Sequence, residues 1–197
     1  MIFIYKLICH RGLYDEKIKE NTYDAVSCAL KNDKFVGVEF DIRETKDNEF
    51  VLFHNATYNN KLIKNTYYKE LPKYVPRLKD ILKIKSKKIF LIEIKNINNY
   101  ERFIKLLNRY RDKNIYLMSF SNKIISKLNI KNRNYKIGIL NYVFNTSENI
   151  LELDFVAILN NLISDEIILK LKNIEIFSYG LFENKKYKDV YYITDSN

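Results

Sequence analysis

Glu39 and Asp41 stand two residues apart in the stretch VGVEFDIRETKDNEFVLFHN, residues 36–55. A strand alternates its side chains, so both carboxylates would point one way while Val38 and Phe40 point the other. Two like charges on one inward face are costly unless something positive lies between them. A metal ion, a cationic side chain, or water at an open strand end could compensate, and the metal ion is the reading favoured here. Carboxylate oxygens without cysteine ligands suit a hard cation, Mg²⁺ or Ca²⁺. His54 arrives thirteen residues after Asp41, and the other of the chain's two histidines, His10, is followed by Arg11 and Gly12. Further on, Glu93 and Lys95 share a strand face just as Glu39 and Asp41 do.

The elements that must carry these residues are short β-rich runs alternating with helical patterns. Strands are expected at Ile2–Cys9, Val36–Ile42, Ile89–Ile94, Ile115–Met118, Tyr135–Leu140, Phe155–Leu159, Ile174–Tyr179 and Val190–Thr194, with an extra run at Phe50–Phe53. Helices are expected at Thr22–Lys31, Leu78–Lys83, Tyr100–Arg111, Asn122–Leu128, Ser147–Leu151 and Asp165–Lys172. The clearest is the third, where Phe103, Ile104, Leu106, Leu107 and Tyr110 keep helical spacing. Ser164 reads as an N-cap.

Eight such strands with intervening helices predict an α/β fold, a small (β/α)8 TIM barrel with right-handed crossovers. The chain is shorter than the usual barrel, so some helices must be short or missing, above all at Phe182–Lys188. Active sites of such barrels lie at the C-terminal strand ends. There the sequence places His10 and Arg11, Glu39 and Asp41, His54 and Asn55, Glu93 and Lys95, and Ser119 and Phe120. Both histidines and three carboxylates share one rim.

At 197 residues, 47% of them hydrophobic, the chain reads as one globular domain spanning residues 1–197. No window has the roughly 18 unbroken apolar residues of a membrane span. The apolar start, MIFIYKLICHRG, lacks a basic region and a cleavage site and reads as a first core strand, so a cytoplasmic protein is expected. Cys9 and Cys28 have no metal or redox spacing and read as reduced core thiols. The net charge of +10 comes from lysines scattered along the chain. It suggests at most weak contact with an anionic surface, and no nucleic-acid partner is expected without a clustered basic face or a known module. The oligomeric state is left open.

The same residues resemble the glycerophosphodiester phosphodiesterase family of phosphatidylinositol-phosphodiesterase-like barrels. Its HRG is similar to His10-Arg11-Gly12, and its ENT to Glu20-Asn21-Thr22. Its E-x-D, TKDG and HD resemble Glu39-Phe40-Asp41, Thr45-Lys46-Asp47-Asn48 and His54-Asn55. Later matches are Pro76–Leu82, Glu93-Ile94-Lys95, Ser119-Phe120 and the tail Ile193-Thr194-Asp195. The likeness runs end to end, most specific in residues 10–55 and weak after about residue 125.

The resemblance implies that Glu39, Asp41 and Glu93 hold one divalent cation and that Arg11 and Lys95 clasp the phosphate oxygens. His10 and His54 would flank the phosphorus as general acid and base, in an order left open. Glu20, Asn55, Ser119 and Phe120 would support them. The product would be an alcohol and glycerol 3-phosphate. Where the family has Asp after the second histidine, Asn55 can give only a neutral hydrogen bond. Residues 55–88 are shorter than the family's insertion, which favours an open site that could admit a glycerol-phosphate polymer or surface glycan. Tyr58, Tyr67, Tyr68 and Tyr74 would overhang the site and could contact a sugar or an alcohol, or simply pack amphipathically. Intramolecular attack giving a cyclic phosphate, as in sphingomyelinase-D-type lyases, and a catalytically impaired binder of anionic glycerophosphates are the other readings.

Overall fold

The computed structural model describes residues 5–142, 152–180 and 187–195. Eight parallel strands close into a barrel in the order β1 (Lys6–Cys9), β2 (Gly37–Glu44), β6 (Ile89–Asn96), β7 (Asn114–Ser119), β8 (Lys136–Asn141), β9 (Phe155–Leu159), β10 (Glu175–Tyr179) and β11 (Val190–Thr194). β11 pairs back onto β1, with Cys9 opposite Thr194. β3 (Phe50–Leu52) runs antiparallel along the end of β2. Helices α1 (Tyr23–Lys31), α2 (Leu78–Ile81), α3 (Tyr100–Leu107), α4 (Asn122–Leu128) and α5 (Asp165–Lys170) cover the outside. The expected (β/α)8 barrel is the observed one. None of these helices is long and apolar enough to cross a membrane.

Two apolar layers explain the closure. Val38, Phe40 and Ile42 of β2 and Phe90, Ile92 and Ile94 of β6 point outward and are buried under α1 to α4, beside Val26, Leu78, Phe103 and Ile125. Their neighbours on the same strands point inward. The barrel interior is filled by Ile8, Leu91, Tyr116, Met118, Leu140, Phe155 and Phe177. Gly138 on β8 makes room for this filling, because a Cβ there would lie 2.5 Å from the Phe155 ring. At the far end Lys136 donates to Glu175 (2.6 Å) and to the Tyr116 hydroxyl (2.8 Å), closing the barrel floor with a paired charge.

Helix starts follow local chemistry. Thr22, Asn99 and Ser164 each accept a first-turn N–H, from Ala25, Arg102 and Ile167. α3 ends at Leu107 rather than Arg111, because Asn108 caps it and the chain must return to β7. α2 and α5 likewise stop two residues before the expected ends, whereas β2 runs two residues beyond Ile42. A small hairpin, β4 (Thr57–Tyr58) and β5 (Lys61–Leu62), was not read from the sequence. Its Asn59-Asn60 turn has φ of 47° and 59°, the left-handed pair a two-residue hairpin loop demands. Residues 2–4 of the first expected strand, the expected helix at Ser147–Leu151 and most of Phe182–Lys188 lie outside the described residues.

Candidate active site

β2 and β6 pair in register with Asp41 opposite Glu93, which sets the two carboxylates side by side at the rim. Glu39 is one pleat lower on the same face. The three residues are 1%, 1% and 7% exposed, and one oxygen from each lies within 4.8 Å of the others. Burial, then Asp41 and Glu93, push the Glu39 carboxyl well above its usual range. Burial also raises Glu93.

Two cations reach this cluster. Lys95 Nζ is 2.6 Å from Glu93 Oε1 and 3.2 Å from Asp41 Oδ1. Burial works against the Lys95 charge, but Asp41 and Glu93 outweigh it and hold the ammonium protonated. Arg11 Nε stands 3.5 Å from Asp41 Oδ2, while its Nη1 donates to both oxygens of Glu20 at 3.0 Å. The cationic side chain weighed as an alternative to a metal is therefore present: among the described residues Lys95 and Arg11 stand at the cluster, Arg43 also feels Asp41 and Glu93, and Arg11 is shared with the more exposed Glu20. Three buried carboxylates nevertheless converge as an all-oxygen donor set, which fits a hard divalent cation.

The turn after β1 aims Arg11. Arg11 (φ 54°) and Gly12 (φ 85°) are both left-handed, and a Cβ on Gly12 would lie 2.6 Å from the Ala25 backbone. This turn points the Arg11 N–H at Glu39 Oε2 (3.0 Å). Asn21, also left-handed at φ 55°, donates to Asp41 Oδ2 (2.9 Å) and accepts the Asp41 N–H (3.0 Å). It orients the central carboxylate through both its ends.

His10 follows β1, and its Nδ1 lies 2.6 Å from Asp195 Oδ1. Asp195 can only accept, so Nδ1 carries the proton and Nε2 faces the acidic cluster, 3.9 Å from Glu39. Tyr14 also donates to Asp195, at 3.3 Å. His54 is held from two sides. The Arg43 guanidinium donates to its carbonyl through Nε (3.1 Å) and Nη2 (2.8 Å), and Phe53 N–H bonds the Asp41 carbonyl. Its Nδ1 lies 3.2 Å from Asn55 Oδ1, the neutral contact expected of that amide.

A pocket of about 170 Å³ brings together His10, Arg11, Glu39, His54, Glu93 and Lys95. Its other wall is apolar, with Phe120 stacked on Tyr142 at 4.5 Å and Tyr179 edge-on to both. Phe120 thus joins the site, whereas Ser119 does not line it. The buried Ser119 hydroxyl donates to Ile94 O at 2.7 Å and accepts from Ser121 N–H, pinning β7 to β6. Of the two roles weighed for the loop tyrosines, packing is the one seen for Tyr58 and Tyr68. Tyr67 lies under Lys46, and Tyr68 packs with Val51 and Ile63 and bonds Val75 O. Of the four, Tyr74 alone borders a groove that reaches His54.

Asp195, Arg43 and Asn21 were given no role from sequence. Asp195 had a readable signal: if the barrel closes, the residues just after the first and last strands are neighbours.

The model of the Glycerophosphoryl diester phosphodiesterase family matches residues 10–159. No curated protein matches the sequence. Among solved structures, a candidate glycerophosphodiester phosphodiesterase from Galdieria sulphuraria superposes with a TM-score of 0.79 at 20% identity, covering 99% of this chain and 95% of that one. A glycerophosphodiester phosphodiesterase from Thermotoga maritima gives 0.75 at 22%, covering 98% and 95%. An Oleispira antarctica phosphodiesterase in complex with the product sn-glycerol-3-phosphate gives 0.74 at 16%, covering 89% and 84%. At these identities the superpositions speak to the fold.

Proposed function

The chain belongs to the Glycerophosphoryl diester phosphodiesterase family, and on that premise we propose that it hydrolyses glycerophosphodiesters to an alcohol and glycerol 3-phosphate. The observation that carries this reading is the convergence of two histidines, two cations and a buried carboxylate triad on one small pocket. Glu39, Asp41 and Glu93 would hold one divalent cation, Mg²⁺ or Ca²⁺. Bound there, it would supply Lewis-acid stabilisation of the charge that grows on the phosphate.

The chain's own residues do the rest. Arg11 and Lys95 attract the diester anion and fix its non-bridging oxygens, the first as a planar fork and the second as a point charge. Phe120, Tyr142 and Tyr179 exclude water from the opposite wall. His10 moves its proton at Nε2, because Nδ1 is committed to Asp195, which holds the ring in that tautomer and orientation. His54 is oriented through its main chain by Arg43 and moves the second proton at Nε2. One imidazole activates the nucleophile and the other protonates the departing alcohol.

Phosphorus NMR of the products tests the reading. It predicts a phosphomonoester resonance growing at the expense of the diester in the presence of Mg²⁺ or Ca²⁺. A stable cyclic phosphate would replace hydrolysis by intramolecular transfer, and an unchanged diester spectrum would refute catalysis.

A further inference from the structure

The catalytic pocket does not end at His54. A groove of about 360 Å³ shares His54 with it and runs between residues 14–21 and 74–75. A second groove, of about 430 Å³, shares Ile18, Lys19, Tyr74 and Val75 with the first and leads to the outer surface. The two make one trough with a catalytic histidine at its inner end. This trough gives one ester arm of a phosphodiester seated at the pocket a lined path away from it.

The charges along this trough are unequal in their commitments. Two of its acids are occupied, Glu20 through both oxygens by Arg11 and Asp15 Oδ1 by Lys17 N–H (2.7 Å) and Ile18 N–H (2.8 Å), while Asp24 stands in the first turn of α1, where the helix dipole favours it. The lysines are not. Lys17, Lys19 and Lys73 are exposed and make no ion pair among the described residues. Lys19 is nevertheless placed, with Nζ 4.2 Å above the ring of Tyr74. That ring is 45% exposed, an apolar face beside an uncommitted ammonium.

We infer that Lys19, seated on Tyr74 and flanked by Lys17 and Lys73, forms a second anion subsite that takes a further phosphate on the ester arm leaving past His54. The carbon backbone of that arm lies on Ile18, Tyr74 and Val75 while its anionic oxygens reach the lysines. The substrate class is therefore a phosphodiester bearing at least two phosphates, either a linear glycerol phosphate chain or a small diester whose alcohol carries a terminal monophosphate. The inference rests on the phosphodiesterase reading for its first phosphate, and its test keeps the two separable.

Affinity is measured by calorimetry with the His10→Ala variant, which leaves the ligands intact, and turnover with the native chain. The ligands are glycerophosphoglycerol, the same diester with a terminal phosphate, and a three-glycerol chain with two internal diesters. A second phosphate is expected to tighten binding about fivefold to tenfold at low salt, with the gain shrinking at 0.5 M salt, where the screening length falls to about 4 Å. The double variant K19A/K73A in the same background should erase the gain. A gain for both longer ligands identifies the chain, and a gain for the terminal phosphate alone identifies the phosphorylated small alcohol. Equal affinities within twofold, or a gain that survives K19A/K73A, overturns the subsite. Absence of turnover by the native chain would refute the hydrolase reading instead, with the affinity comparison still deciding the subsite.

Discussion

His10 Nδ1 and Asp195 Oδ1 meet at 2.6 Å across the seam where the first and last barrel strands join. The contact exists because Cys9 and Thr194 are paired, so the next residue of each strand emerges beside the other. It fixes the imidazole tautomer and leaves Nε2 facing the acidic cluster. Replacing Asp195 by Asn should lower kcat about 100-fold or more while KM changes little, since the amide permits the wrong tautomer. Steady-state kinetics checks this. The Asp195 carboxyl lies below its usual range, first because of the His10 hydrogen bond. A depressed carboxyl contributes stability that is present above its unfolded pKa and lost as pH falls through the folded one. The variant should therefore show a shallower loss of stability below about pH 4, by acid denaturation.

Glu39 predicts the opposite sign. Its folded pKa is raised, so between its unfolded value and the folded one the native state binds more protons than the unfolded state. The metal-stripped protein should lose stability as pH rises from about 4.5 through that window. Glu39→Gln keeps an acceptor for the Arg11 N–H and removes the charge. It should stabilise the metal-stripped protein by roughly 1 kcal/mol, about 2–4 °C in Tm, while weakening cation binding. A lower Tm for the variant would show that the triad is not short of positive charge.

Asn55 leaves His54 with an amide partner at 3.2 Å. Asn55→Asp puts a carboxylate there, which stabilises the imidazolium during proton transfer. The expected gain in kcat is about 3–10-fold at neutral pH, with Asn55→Ala moving the other way. Identical rates for all three would remove Asn55 from the account.

Asn21 serves Asp41 with both ends of its amide from a left-handed backbone. Asn21→Ala should cost about 2–3 kcal/mol by denaturant titration and lower cation affinity about tenfold. Asn21→Gly, which tolerates the backbone, should recover part of the stability and none of the affinity.

Much of this site was legible because it is written in strand alternation. Glu39 with Asp41, and Glu93 with Lys95, each share a face by spacing alone, and the barrel rule puts both pairs on one rim with His10 and His54. The His10–Asp195 pair needed one further step, the closure of the barrel. Of the aromatic wall Phe120 alone was legible, because Phe120, Tyr142 and Tyr179 come from the ends of three different strands and meet only through the tilt of the sheet. Ser119 was misplaced for a related reason. It sits at a strand end beside the site, but its hydroxyl is spent on the Ile94 carbonyl. The loop tyrosines stayed open between the site and plain packing, because an aromatic in a long connection has no periodicity to tell which side it packs on.

The central claim is that Glu39, Asp41 and Glu93 hold a divalent cation on which turnover by the two histidines depends. Its most direct test is glycerol phosphate release by the metal-stripped protein as Mg²⁺ or Ca²⁺ is added back, run beside His10→Ala and Glu93→Gln. The account predicts saturable, cation-dependent release, none from His10→Ala, and at least tenfold more cation needed by Glu93→Gln. Release that persists in excess EDTA, or in His10→Ala, would contradict it.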